Sequence, residues 1–221
     1  MSLILHYHPL ASFCWKVLIA LYENDTPFEK VIVDLGNEAS RAAFLKLWPV
    51  GKFPVLQDKV RDQIVPESAI IIGYLDQYFP GRVTFVPRDA DLARQTRLAD
   101  QFYDRYVHEP MQKIVTDKIR PEGSHDQFGV VQACEMLQTA YPMIDEDMRS
   151  KTWAMGDDFT LADCSAFPAL FYADKVEPFT GGYSNAARYL ERLSARPSVA
   201  RVVEEAQPYM PLFPFYKPEE A

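Results

Sequence analysis

Three adjacent residues, Pro66, Glu67 and Ser68, carry groups that could bind a ligand with both a positive and a negative charge. They stand where a predicted helix begins, and the first amides of a helix have no acceptor inside it. The Ser68 hydroxyl and those amides suit a carboxylate, which the positive end of the helix dipole also stabilises. The Glu67 carboxylate can take an ammonium group. An α-amino acid end group would fit this pair, although an ordinary helix start with an acidic first turn gives the same sequence.

A second candidate is segment 50–56, with the sequence VGKFPVL. Gly51 permits a sharp turn, and Pro54 removes a backbone donor just before a predicted strand. We predict a cis peptide at Phe53-Pro54, which would turn the Phe53 amide and carbonyl outward to pair with an extended peptide ligand. The alternative is a plain turn with a trans proline.

The segment 7–17, with the sequence YHPLASFCWKV, crosses from a predicted strand into a helix. A hydroxyl or thiol at that helix start could donate to a thiolate, and the free amides there would stabilise the thiolate further. The alternatives are that Ser12 is an N-cap and that Cys14 is a small buried hydrophobic side chain.

A fourth segment, around Thr160 and Asp163, is structural. The two residues have the spacing of a capping box, with Asp replacing the usual Glu or Gln. Phe159 precedes the cap and Cys164 is the fourth helical residue, so a hydrophobic staple is available. We assign this segment no chemistry.

The elements that must position these groups follow from hydrophobic spacing. In residues 1–80, this spacing predicts strands at 3–7, 28–34, 53–57 and 63–65, and helices at 12–24, 39–47 and 67–78. The βαβ unit makes two strands parallel, and the hairpin adds antiparallel ones. We therefore predict an α/β, thioredoxin-like domain with a mixed four-stranded sheet and three helices.

The rest of the chain reads as an all-helical domain. A linker is predicted at 81–91, and domain 92–221 follows with helices at 92–115, 128–141, 160–174 and 185–195. The segment 208–218 is rich in proline and aromatic residues, so we predict a tail laid over the surface rather than a helix.

The composition narrows the range of partners, locations and metal sites that the chain could have. The 221 residues include 23 Lys plus Arg and 31 Asp plus Glu, a net charge of −8 that disfavours nucleic acid and acidic membranes as partners. No stretch approaches the roughly 20 apolar residues of a membrane span, and the N-terminus lacks a signal peptide pattern, so we expect a cytoplasmic protein. No disulfide framework and no metal site is expected from the spacing of the cysteines and histidines, which are Cys14, Cys134, Cys164, His6, His8, His108 and His125.

Four segments in order, GKFPVL, PESAIIIGYL, GDDFTLAD and RLSARPSV, together resemble the glutathione S-transferase superfamily, in its bacterial, theta- or zeta-like cytosolic type. The resemblance covers nearly the whole chain. It implies a thioredoxin-like domain that binds glutathione as co-substrate without a metal, and a helical domain that lines the second-substrate pocket. It also implies a twofold homodimer, in which the third helix would present Ile72 and its neighbours to the partner.

The resemblance assigns roles to individual residues. Lys52 would approach the glycyl end of glutathione. The backbone of Phe53, before the cis Pro54, would pair with the cysteinyl unit. Glu67 and Ser68 would hold the γ-glutamyl end.

The chain departs from the family at the activating position. Many bacterial relatives read like Ser-Pro-Phe-Cys-Arg-Lys-Val where this chain has ASFCWKV at 11–17, so the activating serine falls on Ala11. Ser12 is our first candidate for the catalytic hydroxyl. Tyr7 comes next, then Cys14, and backbone amides alone remain a further alternative.

The expected function is transfer of glutathione to a small, largely apolar electrophile, a detoxification reaction. One alternative is a glutathione-dependent isomerase, because run 15–21 is similar to the maleylacetoacetate isomerase class, although the paired serines of that class are missing. The other is a non-catalytic glutathione-binding interaction module. In the helical domain, Tyr103, Tyr106 and Met111 belong either to the second-substrate pocket or to the core.

Overall fold

The computed structural model describes residues 2–179 and 181–217, and its first part is the predicted mixed sheet. The sheet order is β2-β1-β3-β4; β1 and β2 are parallel, and β3 is antiparallel to both of its neighbours. β1 is one of the two inner strands of the sheet, and nearly all of its side chains are buried. The elements are β1 (Leu3–Tyr7), α1 (Ser12–Glu23), β2 (Glu29–Ile32), α2 (Glu38–Leu47), β3 (Val55–Asp58), β4 (Gln63–Pro66) and α3 (Ser68–Tyr78).

The second part is the predicted helical domain. A π-helical segment, Asp104–His108, joins two of its helices into one continuous rod. The helices are α4 (Ala90–Tyr103), α5 (Glu109–Lys118), α6 (Gln127–Asp147), α7 (Leu161–Val176), α8 (Ser184–Ser194) and α9 (Pro197–Ala206), followed by a 3-10 helix, Gln207–Leu212. Within the described residues, none of these helices is both long and apolar enough to cross a membrane.

Helix α9 adds to the helices expected from hydrophobic spacing, and it begins at Pro197, a first-turn position that needs no amide donor. One expectation about the C-terminal end is wrong. The 3-10 helix replaces part of the predicted non-helical tail at 208–218, of which Pro218 lies outside the described residues. Helix α4 begins at Ala90, inside the predicted linker, and the domain boundaries themselves stay predictions.

Helix α1 joins the two domains, since it packs against α3 of the first and against α7 and α9 of the second. Nearly every side chain of α1 is buried, including Trp15 and the charged Lys16. The Lys16 ammonium lies 2.5 Å from Asp100 of α4 and 2.8 Å from Asp104 of the π-helical segment. A buried charge needs such partners, so these ion pairs hold α4 and the π-helical segment against α1.

The capping box is confirmed at the start of α7. The Thr160 side chain accepts from the backbone amide of Asp163, and the Asp163 carboxylate accepts from the backbone amide of Thr160. The role given to Ile72 is wrong. Ile72 lies on the buried face of α3 and is fully buried, so it cannot face a partner.

Candidate active site

A cavity of about 560 Å³ lies between the two domains. All five residues that were predicted to bind glutathione line it, namely Lys52, Phe53, Pro54, Glu67 and Ser68. Its other wall comes from the helical domain and consists of Gln101, Asp104, Arg105, Glu109 and Gln112. We call this space the larger cavity, because it is the larger of the two cavities beside the first turn of α1. The fold thus brings together two short segments from one domain and a single helical face from the other.

The turn before β3 exposes its backbone to the larger cavity. Gly51 has a φ of 71°, which favours glycine, and the Phe53-Pro54 peptide is cis, as predicted. The backbone amide and carbonyl of Phe53 bond no other described residue, because β3 begins to pair with β1 only at Val55. One donor and one acceptor are therefore available to an extended ligand.

The start of α3 presents unpaired donors to the same space. Ser68 is the first helical residue, is 6% exposed, and its hydroxyl bonds none of the described residues. The residue before it, Glu67, has a φ of 68° and makes no side-chain cap. The hydroxyl and the first free amides of α3 therefore lie together at the wall of the larger cavity, an arrangement that suits an anion.

Charges of both signs surround this site. Lys52 is exposed and forms no ion pair within the described residues, whereas Arg105 is paired with Glu109 at 2.6 Å. One oxygen of Asp104 bonds Lys16, while its Oδ1 is buried without a partner. Burial raises the pKa of Asp104, against the opposing charge of Lys16. The cavity can thus receive both the carboxylates and the ammonium group of a zwitterionic ligand.

Ser12 does not line the larger cavity. It lines a second space of about 190 Å³, the smaller cavity, which shares Gln112 with the larger one. Phe13, the next residue of α1, lines the larger cavity. Two side chains in the first turn of α1 therefore face the two cavities on either side.

Ser12 is not a helix cap either. The N-cap position of α1 is Ala11, which has no side-chain hydrogen bond. The Ser12 hydroxyl is hydrogen-bonded to Nε2 of His108, and both residues are buried. Sequence reasoning missed His108, because its partner lies 96 residues away in the chain.

The other two candidates for thiol activation do not fit. Burial, followed by the charge of Glu205, raises the pKa of Tyr7 to about 12, so its hydroxyl stays protonated, but its position keeps it away from the site. Burial also raises the pKa of the fully buried Cys14 thiol, which cannot then act as a nucleophile. Neither residue lines either cavity.

The sequence left open whether three residues of the helical domain belong to the pocket or to the core, and their positions in the structure differ. Met111 is buried and lines the smaller cavity, Tyr103 is buried outside both cavities, and Tyr106 is exposed outside both. The polar wall at 101–112 was missed, although a signal existed. Gln101, Arg105, Glu109 and Gln112 recur every three or four residues, which places them on one helix face.

Two family models match the chain. The glutathione S-transferase N-terminal domain matches residues 5–83, and the glutathione S-transferase C-terminal domain matches residues 111–197. Among curated relatives, glutathione S-transferase GstB of Escherichia coli is 26% identical over 192 residues, covering 85% of this chain and 91% of GstB. A probable maleylacetoacetate isomerase of Caenorhabditis elegans is 25% identical over 208 residues, covering 93% and 94%.

Solved structures give the same fold. A glutathione S-transferase from Methylobacillus flagellatus, solved with glutathione bound, superposes with a TM-score of 0.83 at 24% identity. The match covers 91% of this chain and 98% of that one. No group of three or more potential metal ligands occurs in the described part of this chain.

Proposed function

This chain belongs to the glutathione S-transferase superfamily, and from that membership we propose that it is a glutathione transferase acting on a small, largely apolar electrophile. Glutathione is its co-substrate. The single observation that carries the proposal is the larger cavity, where the unpaired donors and acceptors match the groups of a γ-glutamyl tripeptide. The described residues offer these groups from Lys52, Phe53, Glu67 and Ser68.

We propose that glutathione lies extended across this cavity. Its γ-glutamyl carboxylate accepts hydrogen bonds from the Ser68 hydroxyl and the first amides of α3, and Glu67 binds the ammonium group. The cysteinyl unit pairs with the backbone of Phe53, which the cis Pro54 holds exposed. Lys52 binds the glycyl carboxylate. This direction brings the thiol toward the first turn of α1, where the two cavities adjoin.

The thiol must then be ionised to attack. An unperturbed thiol has a pKa of about 8.5, and lowering it by about two units needs about 2.7 kcal/mol of preferential thiolate stabilisation. One hydrogen bond to the charged sulfur contributes about 1.5–3 kcal/mol. The free amides of a helix N-terminus add about 0.3–1 kcal/mol. We propose Ser12 as the hydroxyl donor and the first amides of α1 as the dipole.

The reaction is a displacement or an addition at an electron-poor carbon. The thiolate electron pair forms the carbon–sulfur bond, and the leaving group departs with its pair, or the electrophile's π electrons take up a proton. The size and lining of the smaller cavity favour a small apolar electrophile as the second substrate. It is about 190 Å³, and much of its wall is apolar, including Leu10, Met111 and the C-terminal Phe213.

We also propose that the chain works as a twofold homodimer, through a face other than the one first expected. Leu98, on α4, is 65% exposed and Met143, on α6, is 56% exposed. Both line an open groove of about 750 Å³. Extended apolar surface of this kind marks protein interfaces, and closed twofold dimers are the commonest assembly.

Light scattering tests the assembly. We expect twice the 25.3 kDa chain mass at micromolar concentration. Leu98→Glu should give the single-chain mass, whereas Ile119→Glu, which changes a similarly exposed residue at the end of α5, should not. A single-chain mass for the unmodified protein would exclude the dimer.

We further propose a cytoplasmic location, where glutathione is the main thiol buffer and where the three free cysteines stay reduced. A detoxifying role would follow from conjugation of reactive electrophiles in that compartment. Fractionation of cells, with the chain detected by antibody, checks the location.

Two measurements test the proposed function. Calorimetry should show glutathione binding, and an assay with a chloronitrobenzene should show glutathione-dependent release of chloride. Binding without conjugation, but with isomerisation of a cis-configured dicarboxylic diketone, would favour the isomerase that the Caenorhabditis elegans relative suggests. Binding with neither reaction would leave a non-catalytic module. No binding at millimolar glutathione would reject all three.

A further inference from the structure

His108 belongs to the helical domain but reaches the first turn of α1. It lies in the π-helical segment, is completely buried, and bonds the Ser12 hydroxyl through Nε2. Its ring stacks on Phe13, with centroids 3.8 Å apart and planes 7° apart. Phe13 lines the larger cavity and Ser12 the smaller one, so His108 fixes the turn that separates them. A π-helical turn is rare and often occurs at functional sites.

The protonation state of His108 follows from its surroundings. Burial, followed by the charge of Lys16, lowers the pKa of His108 to about 3, so the ring is neutral in the physiological range. A neutral ring has one N–H donor and one acceptor nitrogen. Nδ1 is buried without any hydrogen-bond partner. Leaving a buried acceptor unpaired is more common than leaving a buried N–H unpaired, so the proton belongs on Nε2.

This tautomer decides what Ser12 can do. If Nε2 carries the proton, His108 donates to the Ser12 oxygen, and the hydroxyl hydrogen of Ser12 is left without an acceptor among the described residues. If Nδ1 carried the proton, Ser12 would donate to His108 and would have no hydrogen left to donate to a ligand. The first arrangement keeps one O–H donor available in the first turn of α1, between the two cavities.

We propose that His108 is a positioning residue that orients the Ser12 hydroxyl toward the thiolate of glutathione, and so replaces the hydroxyl that is missing at Ala11. The inference rests on the proposed function. His108 does not touch the substrate. It holds the Ser12 oxygen from behind and thereby directs the single hydroxyl proton forward, where the thiolate forms a charge-assisted hydrogen bond with it.

Thiol ionisation provides a readout that a merely structural role would not move. The absorbance of the thiolate of bound glutathione is followed against pH. Ser12→Ala should raise the midpoint by about one pH unit, the lower end of the value of one hydrogen bond to a charge. His108→Asn should raise it by a similar amount, because the shorter amide cannot reach the Ser12 oxygen. His108→Gln places an amide N–H near the position of Nε2 and should restore the original midpoint.

Non-additivity supplies the second criterion. The double variant Ser12→Ala with His108→Asn should shift the midpoint no further than Ser12→Ala alone, because His108 acts through Ser12. His125→Gln, at a partly exposed histidine bonded to Asp117, is the matched control and should shift nothing. The neighbouring charges of Lys16, Asp100 and Asp104 are the same in every variant, so they cancel in the comparison.

Different results would contradict the proposed function and the role of His108. Absence of glutathione binding to the unmodified protein overturns the proposed function. Normal binding with a midpoint that His108→Asn leaves unmoved overturns the role of His108. The same holds if Ser12→Ala leaves the midpoint unmoved, in which case the amides of α1 activate the thiol alone. Circular dichroism and the calorimetric affinity identify any variant that is misfolded. If His108→Asn is misfolded, the midpoint of His108→Gln tests the role of His108, and a midpoint that differs from the original contradicts it.

Discussion

Glu67 holds an unfavourable backbone conformation at the edge of the larger cavity. Its φ of 68° and ψ of 121° lie in a region that only glycine enters freely. Such a residue costs about 1–3 kcal/mol and persists only where the surroundings enforce it. Here β4 ends at Pro66 and α3 begins at Ser68, so a single residue must make the whole change of direction. The strain sets the first amides of α3 toward the cavity.

Glu67→Gly should therefore stabilise the fold and weaken binding. Relief of about 1–3 kcal/mol of strain, less about 0.5–1 kcal/mol for the extra freedom of glycine in the unfolded chain, predicts a net gain of about 1 kcal/mol. Glutathione affinity should fall, because the ammonium partner is lost. Urea unfolding and calorimetry measure the two effects. A loss of stability would show that the conformation is not strained.

Ser68→Ala should weaken glutathione binding by about 1–3 kcal/mol, or roughly 5- to 150-fold, the usual value of an unpaired buried polar group. The reason is that the γ-glutamyl carboxylate would lose its only side-chain donor on α3. Cys134→Ala, on α6 and outside both cavities, is the control and should leave the affinity unchanged. Equal losses in both variants, measured by calorimetry, would remove Ser68 from the site.

Among the elements, α7 depends most on its first turn. It is buried on nearly every face, so it lies at the centre of the helical domain. Asp163 accepts from the amides of Thr160 and Ala154, each at 2.8 Å, and from the Tyr189 hydroxyl at 2.6 Å. One carboxylate thus joins the start of α7 to the preceding loop and to α8.

Asp163→Asn should lower the free energy of unfolding by about 1.5–3 kcal/mol, the value of hydrogen bonds to a charged group. The amide cannot accept from all three donors, because one of its oxygens becomes an NH₂ group. Asp89→Asn changes the exposed N-cap of α4, where the Asp89 side chain accepts from the Leu92 amide, and should cost about a few tenths of a kcal/mol. Urea denaturation compares the two. Similar losses would mean that Asp163 is only a local cap.

For the molecule as a whole, Glu23 is a second charged link between domains, in addition to the Lys16 cluster. It lies at the end of α1, is buried, and bonds Arg196 and Ser198 at the start of α9 and Arg82 after α3. Burial alone would raise its pKa, but the hydrogen bonds from Arg196 and Ser198 and the nearby positive charges outweigh burial and lower it below the ordinary 4.5. The ionised form is therefore the one that stabilises the docked domains.

Glu23→Gln should lower the free energy of unfolding by about 3 kcal/mol at pH 7, the lower end for breaking a buried pair, because Arg196 stays partly exposed. Since the folded pKa is lowered, this difference should be complete above about pH 4.5. It should shrink as the pH falls through the lower folded value. Glu204→Gln, at an exposed position of α9, is the control. A difference that grows on acidification would contradict the sign.

Local patterns in the sequence determined the sheet and helix order, the cis Phe53-Pro54 turn, the capping box at Thr160 and the convergence of Glu67 and Ser68. Each of these depends on residues close together in the chain, since caps, turns and hydrophobic spacing act over a few positions. The same locality explains the misses at the C-terminus. A proline-rich stretch forms helix there because it packs against the rest of the molecule, and tertiary contacts override weak local preferences.

Only the tertiary structure decided the hydrogen-bond partner of Ser12, the burial of Ile72 and the far wall of the larger cavity. Ser12 and His108 are 96 residues apart and meet because the helical domain docks on α1. Ile72 is buried because the side of α3 that carries it faces the core. Which face is covered, and which polar groups meet beneath it, depends on the docking of distant elements. Sequence spacing alone contains no measure of that docking.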